Sequence, residues 1–148
     1  MKNLEIKIKK LNDEAIIPVY QTTNSAGMDI SANINKPIIL KPMQREIIPT
    51  GLSIELPVGY EAQIRARSGL SIKHGITVIN GVGTIDSDYR GEIGVLMINL
   101  SDENFTIEPN MRVAQMIISK YESVNWKTSG SLVETSRGTD GYGSTGIN

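Results

Sequence analysis

Leu52-Ser53-Ile54-Glu55-Leu56-Pro57-Val58-Gly59-Tyr60-Glu61-Ala62-Gln63-Ile64-Arg65-Ala66 puts an apolar residue at every second position on either side of a Pro-Val-Gly break. That is the period of two strands, each with one buried and one wet face, joined by a turn. The same signal recurs along the chain. Ile6 and Ile8 alternate with Lys7 and Lys9, and further strands are expected at Ile16 to Tyr20, Ile38 to Leu40, Ile76 to Ile79 and Val113 to Ile118. Ile93 to Leu100 is apolar on both faces, so it should be covered twice, by the core and by a partner subunit. Helical periodicity is nearly missing. One short helix fits Ser68 to His74, with Gly75 as its stop. Six prolines and fourteen glycines punctuate the strands at the spacing of a sandwich, jelly roll or barrel, and the expected fold class is all-β.

At 148 residues the chain is sized for one domain. Hydrophobic residues make up 39% and charged residues 21%, a globular composition with enough apolar surface for a core of its own. Fifteen basic and sixteen acidic side chains leave a net charge of −1, so no nucleic-acid or membrane partner is expected and any anion site must be local. With no cysteine and only His74, thiol nucleophiles, thiolate metal sites and histidine-based triads lose their ingredients. The first residues alternate charged with apolar and lack the apolar core of a signal peptide, and no apolar run approaches the roughly 18 residues of a membrane span. A cytoplasmic protein is expected. From Lys127 the composition turns to glycine, serine and threonine, so the division expected is a β-barrel core over 1–126 and a flexible glycine-rich tail over 127–148.

Three clusters carry chemistry. Arg67-Ser68-Gly69 ends an alternating strand and opens the helix, giving a forked phosphate donor beside free backbone N–H groups. The loop Asn80-Gly81-Val82-Gly83-Thr84-Ile85-Asp86-Ser87-Asp88-Tyr89-Arg90-Gly91 is too rich for a minimal turn. Its Asp86 and Asp88, expected on an extended chain, stand two residues apart, and one of them suits positioning a water or a hydrated metal. The tail Arg137-Gly138-Thr139-Asp140-Gly141-Tyr142-Gly143-Ser144-Thr145-Gly146 half-matches two phosphate-loop templates. It lacks the strand and helix of a dinucleotide fold, and Ser144 stands where a Walker loop needs lysine.

Taken in order, these clusters resemble the motifs of the homotrimeric dUTPases. The five motifs are Ala26-Gly27-Met28-Asp29-Ile30, Arg67-Ser68-Gly69-Leu70, Asn80-Gly81 through Tyr89-Arg90-Gly91-Glu92, Arg112-Val113-Ala114-Gln115-Met116, and the Arg137 to Gly146 tail. The resemblance implies a distorted jelly-roll-like β-barrel and a homotrimer with three sites shared between subunits, over which the flexible tails close. It implies hydrolysis of dUTP to dUMP and diphosphate, with Mg²⁺ held mainly by the triphosphate. That reaction limits uracil incorporation into DNA and supplies dUMP for dTMP synthesis. The dCTP deaminases share the fold and are the alternative, as is a silent nucleotide-sensing module. The Asp86 to Tyr89 hairpin and the complete tail favour the hydrolase.

By position, the resemblance makes Asp86 the catalytic carboxylate that deprotonates the attacking water. Asn80 and the backbone of Gly83, Thr84, Ile85 and Asp86 would read the uracil edge, with Tyr89 beneath the sugar excluding a 2′-hydroxyl. Arg67, Ser68, Gly69 and Gln115 would line the phosphates, and Asp29 would meet Mg²⁺ through water. From the tail, Arg137, Gly143, Ser144 and Thr145 would hold the γ-phosphate end while Tyr142 stacks on the base. The family usually has Phe and Gly where this chain has Tyr142 and Asp140. The ring of Tyr142 keeps the stacking face, whereas the charge of Asp140 opposes closure on an anion unless it points to solvent.

Overall fold

The computed structural model describes residues 4–146; the first three residues of the expected core and the last two of the expected tail lie outside them. The strands are β1 (Lys7–Lys10), β2 (Gly27–Ser31), β3 (Ile38–Leu40), β4 (Arg45–Pro49), β5 (Leu52–Glu55), β6 (Tyr60–Arg65), β7 (Ile76–Val78), β8 (Gly83–Ile85), β9 (Gly94–Asn99), β10 (Phe105–Ile107) and β11 (Arg112–Lys120), with α1 (Ser68–His74) between β6 and β7. They form four antiparallel sheets, ordered β1-β5, β10-β3, β2-β11-β6-β8 and β4-β9-β7. The sheets wrap a single core in which Ile30, Leu40, Ile48, Leu52, Ile64, Ile76, Ile93 and Met97 are fully buried. The fold is all-β and jelly-roll-like.

The alternation in the opening stretch survives in the fold: Leu52, Ile54, Ala62 and Ile64 are buried while Glu55 and Arg65 are exposed. The helix also falls where it was expected. Gly75 ends it at φ 65°, donating its N–H to the carbonyls of Leu70 and Ser71, and a Cβ there would sit 3.0 Å from the Ser101 nitrogen. Glycine is the residue that meets both demands. His74, in the last turn, packs against Phe105 with ring centroids 5.2 Å apart and the ring planes tilted by 50°, so the lone histidine closes a helix end.

One expected strand needs correction. Ile16 to Tyr20 is not a strand: Ile16, Ile17, Val19 and Tyr20 are exposed and only Pro18 of the five is buried. A residue without an N–H at the one anchoring position cannot donate to a ladder. Of the double cover expected for Ile93 to Leu100, the protomer's own core supplies one side. Val95 and Met97 point into the core, but Leu96 lies opposite Ile47 on the outer face, and Ile47 is 64% exposed. That face is open in the single protomer. The strands β2, β4, β8 and β10 were not expected. They are three to five residues long, and Gly27, Pro49 and Gly83 at their ends blur the alternation.

Beyond β11 the chain leaves the body. Every residue over 121–140 is exposed, and so is every one over 142–146. Tyr121 donates its N–H to the Gly59 carbonyl; from there to residue 146 the hydrogen bonds run within the segment itself.

Candidate active site

One group of functional side chains gathers where β2, β11 and β6 run side by side. Gln115 on β11 stands opposite both Asp29 on β2 and Arg65 on β6. The Asp29 carboxylate is held between two guanidinium groups, Oδ1 at 3.1 Å from Arg67 Nε and Oδ2 at 3.4 Å from Arg112 Nη1. Arg67 Nη1 also donates to the Arg112 carbonyl at 3.0 Å, and Gln115 Nε2 donates to the Ala66 carbonyl at 2.9 Å. Gly27 makes room for this arrangement, since a Cβ there would come within 2.5 Å of Gln115 Oε1. With two cations and one carboxylate the cluster keeps an excess positive charge, suited to a phosphate.

Arg112 received no role from its position in the sequence. A β-bulge between Arg112 and Ala114 turns its side chain toward Asp29, and bulges of this kind re-aim side chains in ways that sequence spacing does not reveal. The motif that holds both Arg112 and Gln115 was its only signal. Beside the cluster, Arg67 occupies the N-cap position in an extended conformation, with no side-chain cap and no acidic residue in the first turn. Ser68 is therefore the first helical residue. Ser68 and Gly69 are exposed, and a Cβ on Gly69 would meet nothing within 4 Å. The first-turn N–H groups face open space where an anion can approach.

The second group lies on the loop from Asn80 to Tyr89. Strand β8 is the edge of its sheet, so the outward N–H and C=O groups of Gly83, Thr84 and Ile85 have no further strand to pair with and can read the edge of a planar base. Gly83 is buried, with its would-be Cβ 3.1 Å from Ile64 and 3.3 Å from the Asn80 amide nitrogen. Asp86 follows directly. The Tyr89 N–H bonds to the Asp86 carbonyl at 3.2 Å, making 86–89 a turn rather than the extended segment assumed for Asp86 and Asp88. Among the described residues the Asp86 side chain has no hydrogen-bond or ion-pair partner, and it lines a surface depression with Thr84, Ile85, Tyr89, Leu96 and Ile47.

Asp86 and Arg67 do not meet within one protomer. Ile85 pairs with Ala62, which sets Asp86 level with Glu61, whereas Arg67 lies six residues further along; at about 3.3 Å per residue they are some 15–20 Å apart. The tail residues Arg137, Tyr142, Gly143, Ser144 and Thr145 touch neither group. Arg137 Nε donates to the Asp140 carbonyl, and Tyr142 is fully exposed in the left-handed region at φ 50°. Among the described residues no cluster of three or more His, Cys, Asp or Glu could hold a metal ion.

Comparison with known proteins agrees over nearly the whole chain. The family profile described as dUTPase matches residues 13–146. The deoxyuridine 5'-triphosphate nucleotidohydrolases of Rickettsia felis and Rickettsia canadensis are 57% and 58% identical over 144 residues, 97% of this chain and 97% of each relative. That of Rickettsia akari is 55% identical over 148 residues, 99% of this chain and 100% of its own. Among solved structures, a mutant dUTPase of Staphylococcus bacteriophage 80alpha with dUpNHpp superposes with a TM-score of 0.89, at 23% identity over 98% of this chain and 100% of that one. A mutant dUTPase of phage phi11 of S. aureus, described as showing the coordination of a structural Mg(II) ion, gives 0.78 at 21% identity, covering 86% and 98%. At these identities the two structures speak for the fold.

Proposed function

This chain belongs to the dUTPase family, enzymes that hydrolyse dUTP to dUMP, and from that premise we propose that it works as a Mg²⁺-dependent homotrimer whose active sites are shared between subunits. The observation that carries the reading is the division of the functional residues between two ends of β6. A site needing both Arg67 and Asp86 is completed by a second copy of the chain. The open apolar face at Ile47 and Leu96, next to Asp86, is surface that such a copy covers, as are Trp126 and Val133, 92% and 93% exposed in the single protomer.

In this site uracil lies along the edge strand β8, read by Asn80 and by the backbone of Gly83 to Asp86. The pocket excludes thymine by its methyl group and cytosine by mismatched donors. The Tyr89 ring underlies the deoxyribose. Arg67, Gln115, the Ser68 and Gly69 end of α1 and, in addition, Arg112 take the phosphates. Asp86, with no competing partner, accepts the proton of the water that attacks the triphosphate. Arg137, Gly143, Ser144 and Thr145 close over the γ-phosphate and exclude bulk water.

The metal fits an outer role. Asp29 already faces two arginines, each oxygen keeping a free acceptor site for a metal-bound water, while direct ligation would pull the carboxylate from both cations. Mg²⁺ carried by the substrate and held near Asp29 through water would supply charge neutralisation of the leaving diphosphate. In the cell this activity keeps uracil out of DNA and provides dUMP for dTMP synthesis, in the cytoplasm.

The deciding measurement is diphosphate release from dUTP, dCTP, dTTP and UTP, with Mg²⁺ and with a chelator. Release from dUTP alone, abolished by the chelator, is expected. Ammonia from dCTP would move the reading to a deaminase. A second expectation concerns Tyr142: both Tyr and Phe offer a stacking face worth roughly 1–3 kcal/mol on a base. Tyr142→Phe should therefore be close to neutral in kcat/KM, and Tyr142→Ala should lose about ten- to a hundredfold. Equal losses would mean that the hydroxyl, not the ring, makes the contact.

A further inference from the structure

Gly91 stands out among the glycines whose backbone leaves alanine permissible. Its φ lies outside the left-handed region, so its conformation does not require glycine. What requires it is the neighbouring ring. A Cβ on Gly91 would lie 2.6 Å from Cζ and 3.0 Å from Cε2 of Tyr89, and nearer still to the hydroxyl oxygen. No real Cβ tolerates these approaches, and of the two groups the exposed ring is the one free to move.

The loop beneath the ring is tied down separately. Ser53 Oγ donates to the carbonyls of Arg90 at 3.0 Å and Gly91 at 2.8 Å. Glu92 Oε1 accepts the Gly51 N–H at 2.9 Å, Arg90 Nη1 reaches back to the carbonyls of Ser87 and Tyr89, and Tyr89 Oη donates to the Glu92 carbonyl at 2.8 Å. The ring of Tyr89 thus rests on a bare Cα whose height is set from β5, a strand that carries none of the candidate active-site residues.

We propose that Gly91 and Ser53 are positioning residues that hold the Tyr89 ring against the sugar and thereby set discrimination between deoxyribo- and ribonucleotides. The inference rests on the reading of Tyr89 as the group beneath the sugar. A ring displaced by a Cβ, or standing on a loosened loop, leaves space for a 2′-hydroxyl, and exclusion by contact is lost when the contact moves.

The test is kcat/KM for dUTP and for UTP in the parent enzyme, Gly91→Ala, Ser53→Ala and Tyr89→Ala. Gly91→Ala should lower the dUTP-to-UTP ratio by about tenfold or more, Ser53→Ala by a few-fold, and Tyr89→Ala by at least as much as Gly91→Ala. A purely structural role would depress both substrates equally and leave the ratio unchanged, which overturns the proposal. If Tyr89→Ala itself leaves the ratio unchanged, the placement of Tyr89 beneath the sugar is what fails. Ser53→Ala adds no bulk and removes only a hydroxyl, so it carries the same test should Gly91→Ala not fold.

Discussion

Asp86→Asn retains dUTP binding and loses turnover by about 10²- to 10⁴-fold, roughly 3–5 kcal/mol of barrier. The exchange is isosteric, and among the described residues no partner of the carboxylate is disturbed, so the variant should fold and bind as the parent does. In the proposed mechanism it would lose the basic oxygen that takes the proton from water. Titration with a non-hydrolysable analogue should give a Kd within a few-fold of the parent while single-turnover hydrolysis collapses. Turnover within a few-fold of the parent would remove Asp86 from the reaction. The same variant tests the shared site: because Arg67 and Asp86 lie at opposite ends of β6, co-refolding Asp86→Asn with inactive Arg67→Ala chains should assemble some sites with both residues intact. Recovered activity is the expected result, and none at all would place the site within one chain.

Truncation after Ser136 should leave the fold and abolish most of the activity. Within the described residues the segment from Arg137 onward bonds only to itself and to Thr135 of the same tail, and it buries no apolar side chain, so its removal should shift Tm by no more than a degree or two. In the proposed closed site it would supply Arg137 and several hydroxyl and backbone donors to the phosphates. Losing one preorganised donor of this type typically costs about 10²- to 10³-fold, and the truncation loses several along with the shield against water. A large fall in Tm would make the tail a structural element, and unchanged turnover would make it irrelevant. In the geometry seen here the Asp140 carbonyl accepts from Arg137 Nε, and its exposed side chain has no partner among the described residues.

Alternation with period two was enough for the fold class, because Leu52 to Ala66 can bury its apolar side chains only as strands, and Gly75 was enough for the end of α1. The motif residues were legible through the resemblance to the dUTPase motifs: glycine, arginine and aspartate on exposed loops serve turns as readily as chemistry, and it was the five motifs in order that singled out the Arg67 and Asp86 segments. Ile16 to Tyr20 misled because hydrophobicity does not report whether a neighbour strand is available, and Pro18 denies it one. Spacing was equally silent on the Arg112 bulge, on the ring of Tyr89 filling the space above Gly91, and on the two arginines at Asp29. Each depends on which strands lie side by side, and the register of β11 against β2 and β6 is set by the whole core rather than by any local stretch. The same holds for the distance between Arg67 and Asp86. They are nineteen positions apart in sequence, yet the antiparallel pairing of β8 with β6 carries Asp86 back to the far end of the strand that delivers Arg67, and it is this pairing that holds the two residues apart within one protomer.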